Sequence, residues 1–349
     1  MNHLVIMAGG VGSRFWPMST PECPKQFMDV LGTGKTLLQL TVERFADICP
    51  IGNVWVVTSV RYRELVKQQL PEIPDSNILL EPCMRNTAPC IAYVTWKIKK
   101  QDPDACLVVS PSDHIVLDVA EFRRVVDKGL KFVADKERIL TLGMMPTRPE
   151  TGYGYIQMKA NTTVYQEEIH EVEAFKEKPD LTTAQSYLRS GDYLWNAGIF
   201  LWNVHTVEKA FRTYLPEMAA LFDRLENLFF TIGEQEAIDR YFPECKSISI
   251  DYAIMEHARN IYVFPASFGW SDLGTWGSLY EHVAKDAAQN AVVGNEVKMI
   301  ESSGCIVHVP TGRRMVLQGL ENYIIAEENG VLLICRKSDE QRIKEFSQQ

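Results

Sequence analysis

The sequence predicts an α/β protein in which helices flank a Rossmann-like, mixed and mostly parallel sheet, followed by a small β-rich domain. Up to about residue 143, short apolar runs rich in β-branched residues alternate with amphipathic stretches of helical period. This alternation is typical of parallel strands with helices on both faces. After about residue 286 the pattern changes to short apolar runs separated by glycines, which predicts the β-rich domain.

The elements of the sheet follow in order along the chain. Strands are predicted at residues 3–7, 54–58, 78–80, 106–110 and 139–143, with helices at 37–46, 62–70, 88–100 and 122–133. Residues 153–200 have a strand-like pattern, residues 204–258 are mostly helical in pattern, and a charged helix is expected at 338–346. We expect a main domain at 1–285 and a β-rich domain, similar to a β-helix, at 286–349.

Composition excludes several classes of protein. The 349-residue chain is 46% hydrophobic and has a formal net charge of -9, which argues against nucleic acid or an anionic membrane as a partner. No apolar run approaches the ~20 residues that cross a bilayer, and no leader pattern precedes the first strand, so we expect a cytoplasmic protein. The eight cysteines form no CxxC pair and the seven histidines lack metal-ligand spacing, which favours reduced thiols.

A phosphate-binding loop is predicted directly after the first strand. Glycines let the backbone approach phosphate oxygens closely, and an arginine and a lysine neutralise charge that backbone amides cannot. A simple turn would explain one glycine, but it would not explain three glycines and two cations. The residues assigned to this loop are Ala8, Gly9, Gly10, Gly12, Ser13, Arg14 and Lys25.

Two better-known phosphate loops do not fit this sequence. A dinucleotide fingerprint requires a third glycine where Phe15 stands, and no acid ends the second strand. Gly34-Lys35-Thr36 resembles the end of a Walker A loop, but the first glycine of that pattern would fall at Asp29. We therefore expect Thr36 to cap a helix.

The string AGGVGSRFWPMSTPECPKQF resembles the signature of sugar-nucleotide pyrophosphorylases, and its FWP and PKQF parts resemble mannose-1-phosphate guanylyltransferases. The later strings EPCMRNTAPCIAY, SPSDHIV, FKEKP, YLWNAGIF, DYAIMEH and FGWSDLGTW match that family in order and spacing. The resemblance implies a fold similar to nucleotidyltransferases and type A glycosyltransferases, with residues 1–285 as the catalytic domain. It also implies Mg²⁺ as the metal, and GTP and mannose 1-phosphate as substrates.

The resemblance assigns roles to individual residues. Asp113 and Asp272 are expected to hold the metal and, with Arg14 and Lys25, to form the catalytic set. Asp113 follows the strand at 106–110, at the edge where such sheets bind ligands, although a lone aspartate there could also be a turn or N-cap residue. Magnesium prefers oxygen ligands and commonly takes one or two carboxylates with substrate phosphates.

Further residues are expected to bind the base and the sugar. Glu81 could accept hydrogen bonds from guanine N1 and N2, although it could equally end a strand and cap the next helix. The other nucleotide-binding candidates are Arg85, Asn86 and Thr87. The resemblance assigns the sugar phosphate to Gly154, Glu177, Lys178 and Asn196, although the EKP string could also be a solvated turn. Apolar strands after residue 286 favour a homodimer.

Two alternatives to this function remain open. One is a transferase of the same fold with another nucleotide or sugar, and the other is a non-catalytic regulatory subunit that binds a nucleotide sugar. The presence of Arg14, Lys25, Asp113 and Asp272 argues against the second, because a regulatory subunit would be expected to lose these charges.

Overall fold

A computed structural model describes residues 1–10, 15–166, 168–310 and 312–347. They form two compact units. Unit 1 consists of Met1–Gly9, Val42–Ser112 and Val116–Trp270, and unit 2 consists of Gly10–Thr41, Asp113–Ile115 and Ser271–Gln349. Each unit is therefore assembled from separate stretches of chain. The domain boundary at residue 285 stays a prediction.

Unit 1 contains a nine-stranded mixed sheet. The strands are β1 Asn2–Met7, β2 Val54–Ser59, β3 Ile78–Glu81, β4 Cys106–Pro111, β6 Ile139–Met144, β7 Tyr155–Val164, β8 Ile169–Lys176, β9 Tyr193–Asn203 and β10 Ile261–Ala266. Their order across the sheet is β3-β2-β1-β4-β9-β6-β10-β8-β7. β3, β2, β1 and β4 run parallel, whereas β9 is antiparallel to both β4 and β6. The predicted α/β class and all five predicted strands are confirmed.

Helices of unit 1 follow the predicted pattern. They are α2 Arg63–Gln69, α3 Thr87–Gln101, α4 Val119–Val133, α5 Leu181–Ser190, α6 Val204–Tyr214, α7 Pro216–Leu225 and α8 Glu234–Tyr241, with a π-helical turn at Asp251–Met255. α4 begins earlier than predicted because the Asp118 carboxylate accepts a hydrogen bond from the Glu121 amide and caps it. α3 is buried along most of its length and packs into the apolar core around Trp55, Trp96 and Trp202.

Unit 2 is built mainly from short strands and its own apolar core. Its strands are β12 Ala291–Val293, β13 Val297–Ile300, β14 Ile306–His308, β15 Met315–Gln318, β16 Tyr323–Glu328 and β17 Val331–Arg336. β12, β14 and β16 pair in parallel, as do β13 and β15, so successive turns of chain stack as expected for a coil. Phe15 and Trp276 contribute to the buried core. The predicted β-rich region is confirmed.

Short elements complete the two units. β5 Ile115–Val116 and β11 Trp270–Ser271 are strands of two residues, and α9 Trp276–His282 and α10 Ile343–Phe346 lie in unit 2. α1 Leu37–Arg44 begins where predicted because Thr36 and Gln39 exchange side-chain to backbone hydrogen bonds. Thr36 is therefore a helix cap, as expected.

Two predictions about composition can be compared with the structure. Within the described residues, no helix has the length and apolar character needed to cross a membrane. All eight cysteines are free thiols, and six of them are buried. Their redox state in the cell stays a prediction.

Candidate active site

The predicted phosphate loop begins at the carboxyl end of β1 in unit 1. The Ala8 amide donates to the Val57 carbonyl at 2.8 Å, and the Thr58 hydroxyl donates to the Ala8 carbonyl at 2.8 Å. A Cβ added to Gly9 would lie 3.5 Å from Glu81 Oε2, so the loop starts beside a carboxyl group. Three residues assigned to this loop, Gly12, Ser13 and Arg14, lie outside the described residues, and their roles stay predictions.

A buried glutamine holds the next part of this loop, within unit 2. Gln26 Nε2 donates to the Gly10 carbonyl at 2.9 Å, and Gln26 is almost completely buried. Gln26 is not among the predicted site residues, although it stands in the PKQF string. The contact fixes the direction of the Gly10 carbonyl.

Lys25 is the central cation of unit 2. Its ammonium donates to the backbone carbonyls of Asp272 and Leu273 at 2.8 and 2.9 Å, and it lies 3.0 Å from Asp113 Oδ2. The Phe15 ring lies beneath it, with its centroid 5.8 Å from Nζ. Because an ammonium has three protons, these three oxygens account for all of them. Lys25 therefore binds two parts of the chain that are distant from it in sequence, Asp113 and Asp272–Leu273.

The two aspartates predicted to hold a metal both lie at Lys25. Burial raises the pKa of the Asp113 carboxyl, but the Lys25 ammonium, the His114 ring and hydrogen bonds outweigh burial, and the pKa falls below its ordinary value. Asp272 Oδ1 accepts a hydrogen bond from the Gly274 amide at 2.9 Å, which fixes the carboxylate within its turn. Asp113 therefore remains ionised at neutral pH.

These carboxylates suit a hard divalent cation. Among the described residues, no group of three or more His, Cys, Asp or Glu side chains could hold a metal. Magnesium commonly takes only one or two carboxylates and completes its shell with substrate phosphates and water. Asp113 and Asp272 carry oxygen donors of the kind that Mg²⁺ prefers, and their roles as its ligands stay predictions.

Glu81, the candidate for reading the base, ends β3 in unit 1 as a buried carboxyl. Its Oε1 has no hydrogen-bond partner among the described residues, and burial raises its pKa to about 8, although a hydrogen bond from Cys90 acts in the opposite direction. A buried acceptor without a partner is costly to a fold, and such groups concentrate at functional sites. Glu81 does not cap the following helix, because Asn86 does so.

The stretch after Glu81 has structural contacts within unit 1. Arg85 Nη2 donates to the Pro243 carbonyl at 2.6 Å. Asn86 has φ 68° and accepts a hydrogen bond from the Thr87 amide, and the Thr87 hydroxyl accepts one from the Ile250 amide at 2.9 Å. These contacts give each of the three residues a structural role. Their nucleotide-binding roles stay predictions.

The predicted sugar residues come together in unit 1. The backbone amide of Asn196 donates to the Gly154 carbonyl at 2.8 Å. A Cβ added to Gly154 would lie 2.4 Å from Glu177 Oε2. Only glycine therefore allows Glu177 to approach so closely. Lys178 Nζ lies 3.1 Å from Glu177 Oε1, and its side chain is 60% exposed.

A bulge in β9 orients Asn196. The pairing of β6 with β9 shifts between Thr141 and Gly143, and Gly198 adopts φ 66°. The Gly198 amide donates to Asn196 Oδ1 at 3.0 Å, so Asn196 Nδ2 is directed the other way, and it donates to Asp251 Oδ1 at 2.9 Å. Asp251 is not among the predicted site residues, although it begins the DYAIMEH string.

Comparisons with known proteins identify the family of this chain. Residues 3–289 match the family described as nucleotidyl transferase. The chain is 33% identical over 99% of its length to a mannose-1-phosphate guanylyltransferase of Escherichia coli, covering 74% of that protein. It is 35% identical over 97% of its length to a mannose-1-phosphate guanylyltransferase of Salmonella muenchen, covering 71% of that protein.

A solved structure shows the same fold. The crystal structure named mannose-1-phosphate geranyltransferase, from Thermus thermophilus, matches 99% of this chain and 98% of its own, with 29% identity and a TM-score of 0.89. The expected fold and the expected family are both confirmed. This chain belongs to the nucleotidyl transferase family and, within it, to the mannose-1-phosphate guanylyltransferases.

Proposed function

We propose that this protein transfers a guanylyl group from GTP to α-D-mannose 1-phosphate, giving GDP-mannose and pyrophosphate. The observation that carries the proposal is the gathering of Lys25, Asp113 and Asp272 in unit 2. These residues belong to three of the strings that resemble the family, and they are distant in sequence. The names of the relatives support mannose 1-phosphate as the acceptor.

The chemistry requires no covalent intermediate. An oxygen of the mannose 1-phosphate attacks the α-phosphorus of GTP, the new P–O bond forms, and the bond to the β-phosphate breaks with its electrons leaving on pyrophosphate. A phosphate dianion is already nucleophilic, so a general base is not needed. Catalysis then depends on positioning and on neutralising charge.

The residues of this chain would supply that positioning. Lys25 holds Asp113 and the Asp272 turn in place and adds positive charge near the phosphates. Arg14 would steady the leaving pyrophosphate, and Lys178 would pair with the sugar phosphate. Asp113 and Asp272 would hold Mg²⁺, which when bound neutralises phosphate charge.

Base and sugar recognition would rest on residues of unit 1. Glu81 has an unused buried oxygen that can accept a hydrogen bond from guanine, whereas adenine presents no matching donor at N1. Gly154, Glu177 and Asn196 would surround the hexose, because carboxylate and amide groups suit paired hydroxyls.

A substrate screen tests the proposal. Purified protein with Mg²⁺ is given each common nucleoside triphosphate and a series of sugar 1-phosphates, and pyrophosphate and nucleotide sugar are measured. We expect GTP with mannose 1-phosphate to give the highest kcat/KM, and Arg14→Ala to lower it by ~100-fold. A better substrate pair would identify a related transferase. Binding of a nucleotide sugar without turnover would identify a regulatory subunit, and either result would overturn the proposal.

We also propose a homodimer in the cytoplasm. β17 is the edge strand of its sheet, and Val331, Leu332 and Ile334 on it are exposed. Edge strands with exposed apolar side chains favour pairing with another chain. Eight free thiols are typical of a reducing compartment. Light scattering should give twice the chain mass, and Leu332→Glu should give the mass of one chain.

A further inference from the structure

Asp251 lies beside Asn196 and Glu177, two of the residues proposed to surround the sugar, and has no part in the function proposed for them. It begins the π-helical turn Asp251–Met255, which follows the contacts that Ile248 and Ile250 make with the start of α3. π-helical turns are rare and occur frequently at functional sites. The position therefore suggests a role beyond packing, but the contacts of the carboxylate must support it.

The contact with Asn196 fixes one oxygen of Asp251. Asn196 Oδ1 accepts from the Gly198 amide at 3.0 Å and from the Thr141 hydroxyl at 3.4 Å, and a backbone amide can only donate. The orientation of the Asn196 amide is therefore determined, and Nδ2 must face Asp251 Oδ1. Asn196 retains a second N–H, and an ionised carboxylate has about four acceptor positions.

The charges around Asp251 indicate what it can bind. Burial and, to a lesser extent, the nearby Glu177 carboxylate raise its pKa to about 6, whereas Lys178 has only a small opposing effect. Among the described residues, no lysine or arginine forms a salt bridge with Asp251. Two neighbouring carboxylates with one amide repel an anionic group, but they accept hydrogen bonds from neutral hydroxyls.

We infer that Asp251 is a further sugar-binding residue, whose carboxylate, held by Asn196, accepts a hydrogen bond from a hexose hydroxyl and selects its configuration. The inference rests on the proposed function, because it takes the sugar 1-phosphate as the substrate. Glu177 and Asp251 would then bind on the two sides of the Asn196 amide. The hydroxyl-bearing ring, not the phosphate, would meet this part of unit 1.

Asp251→Asn is the decisive variant, because it preserves shape and an acceptor for Asn196 while removing the charge. We expect the KM for the sugar 1-phosphate to rise by about tenfold to a hundredfold, which is the scale of a lost hydrogen bond to a charged group. The KM for the nucleotide and the melting temperature should stay unchanged. The matched control is Asp192→Asn, since Asp192 is also partly buried and accepts from an amide, Gln157 Nε2, at 2.8 Å.

A series of sugar 1-phosphates, each lacking one hydroxyl, identifies the hydroxyl that Asp251 binds. Wild-type protein should lose affinity for the analogue without the bonded hydroxyl, and Asp251→Asn should lose no more on that analogue. If Asp251→Asn does not fold, Asp251→Glu keeps the charge but displaces it, and it should change the order of preference among the same analogues. The inference would be overturned if the loss from Asp251→Asn and the loss from the missing hydroxyl were additive for every analogue. It would also be overturned if Asp251→Asn had the same kinetics as Asp192→Asn.

The experiment separates this inference from the proposed function. Wild-type protein that turns over no sugar 1-phosphate would refute the proposed function itself. An active wild type with an unaffected Asp251→Asn variant would refute only the role of Asp251.

Discussion

The candidate site residues of the two compact units differ in how their buried charge is compensated. In unit 2, the Lys25 ammonium meets the Asp113 carboxylate and two backbone carbonyls, and the pKa of Asp113 lies below its ordinary value. In unit 1, Glu81 and Asp251 form no salt bridge with a described lysine or arginine, and burial raises both pKa values, to about 8 and about 6. The Asp113 carboxylate of unit 2 is thus neutralised by Lys25, whereas no described cation neutralises Glu81 or Asp251 in unit 1.

Removing Lys25 should have the largest effect on both stability and turnover. Lys25→Met would remove the ammonium from the partly buried Asp113 carboxylate and from two backbone carbonyls, and losing the donor of a buried acceptor costs about 1–3 kcal/mol of stability. Turnover should also fall by ~100-fold or more, because the positions of both aspartates depend on Lys25. Melting temperature and pyrophosphate release measure the two effects.

The control for Lys25 is another buried lysine, in unit 1. Lys97 donates to Glu234 at 2.6 Å, so Lys97→Met should lower stability similarly. The specific activity of the folded fraction should stay normal in Lys97→Met. Equal loss of specific activity in both variants would mean that Lys25 acts through stability alone.

Substituting a carboxylate beside Lys25 should have the next largest effect on turnover. Asp272→Asn keeps Oδ1 as an acceptor for the Gly274 amide, so the turn should persist while the charge is lost. We expect ~100-fold lower kcat/KM at low Mg²⁺, with partial recovery at high Mg²⁺. Asp286→Asn is the control, because Asp286 also accepts backbone amides in a turn of unit 2. A normal Mg²⁺ dependence in Asp272→Asn would exclude Asp272 as a metal ligand.

In unit 1, the pH dependence of stability tests the environment of Glu81. The folded state raises its pKa from 4.5 to about 8, so the folded protein binds more protons than the unfolded chain between these values. The free energy of unfolding should therefore fall as pH rises from about 4.5 to about 8. Each pH unit corresponds to about 1.4 kcal/mol, so the total loss should be a few kcal/mol. Glu81→Gln should remove this part of the pH dependence while weakening GTP binding. A variant with the wild-type pH profile of melting temperature would contradict the assignment.

The smallest effect is expected at the exposed lysine. Lys178 has an exposed side chain beside Glu177, and exposed ion pairs contribute about 0–1 kcal/mol, so Lys178→Met should leave the melting temperature unchanged. The KM for the sugar 1-phosphate should rise by about tenfold if Lys178 pairs with the phosphate. Lys159→Met is the matched control, since Lys159 is an exposed lysine paired with Glu171 at 3.0 Å. Equal kinetics in the two variants would remove Lys178 from the site.

Sequence patterns predicted the features that depend on local chemistry. Apolar runs identified the strands, because a buried strand must be apolar on both faces, and Thr36 was identified as a cap by its residue type and position. The three acceptors of Lys25 were not predictable, since two of them are backbone carbonyls, which every residue has. The pairing of Asn196 with Asp251 depends on a bulge and a π-helical turn, which leave no clear pattern in a single sequence.

The interleaving of the two units has a consequence for synthesis on the ribosome. Lys25 emerges early, but its carbonyl partner at Asp272 is translated 247 residues later. Throughout that interval the lysine cannot adopt its final environment, and the early segment of unit 2 must stay solvated while the sheet strands of unit 1 emerge. β10, at Ile261–Ala266, is translated just before Asp272 and lies inside the nine-stranded sheet, so the sheet of unit 1 and the contacts of Lys25 in unit 2 are both completed late in translation.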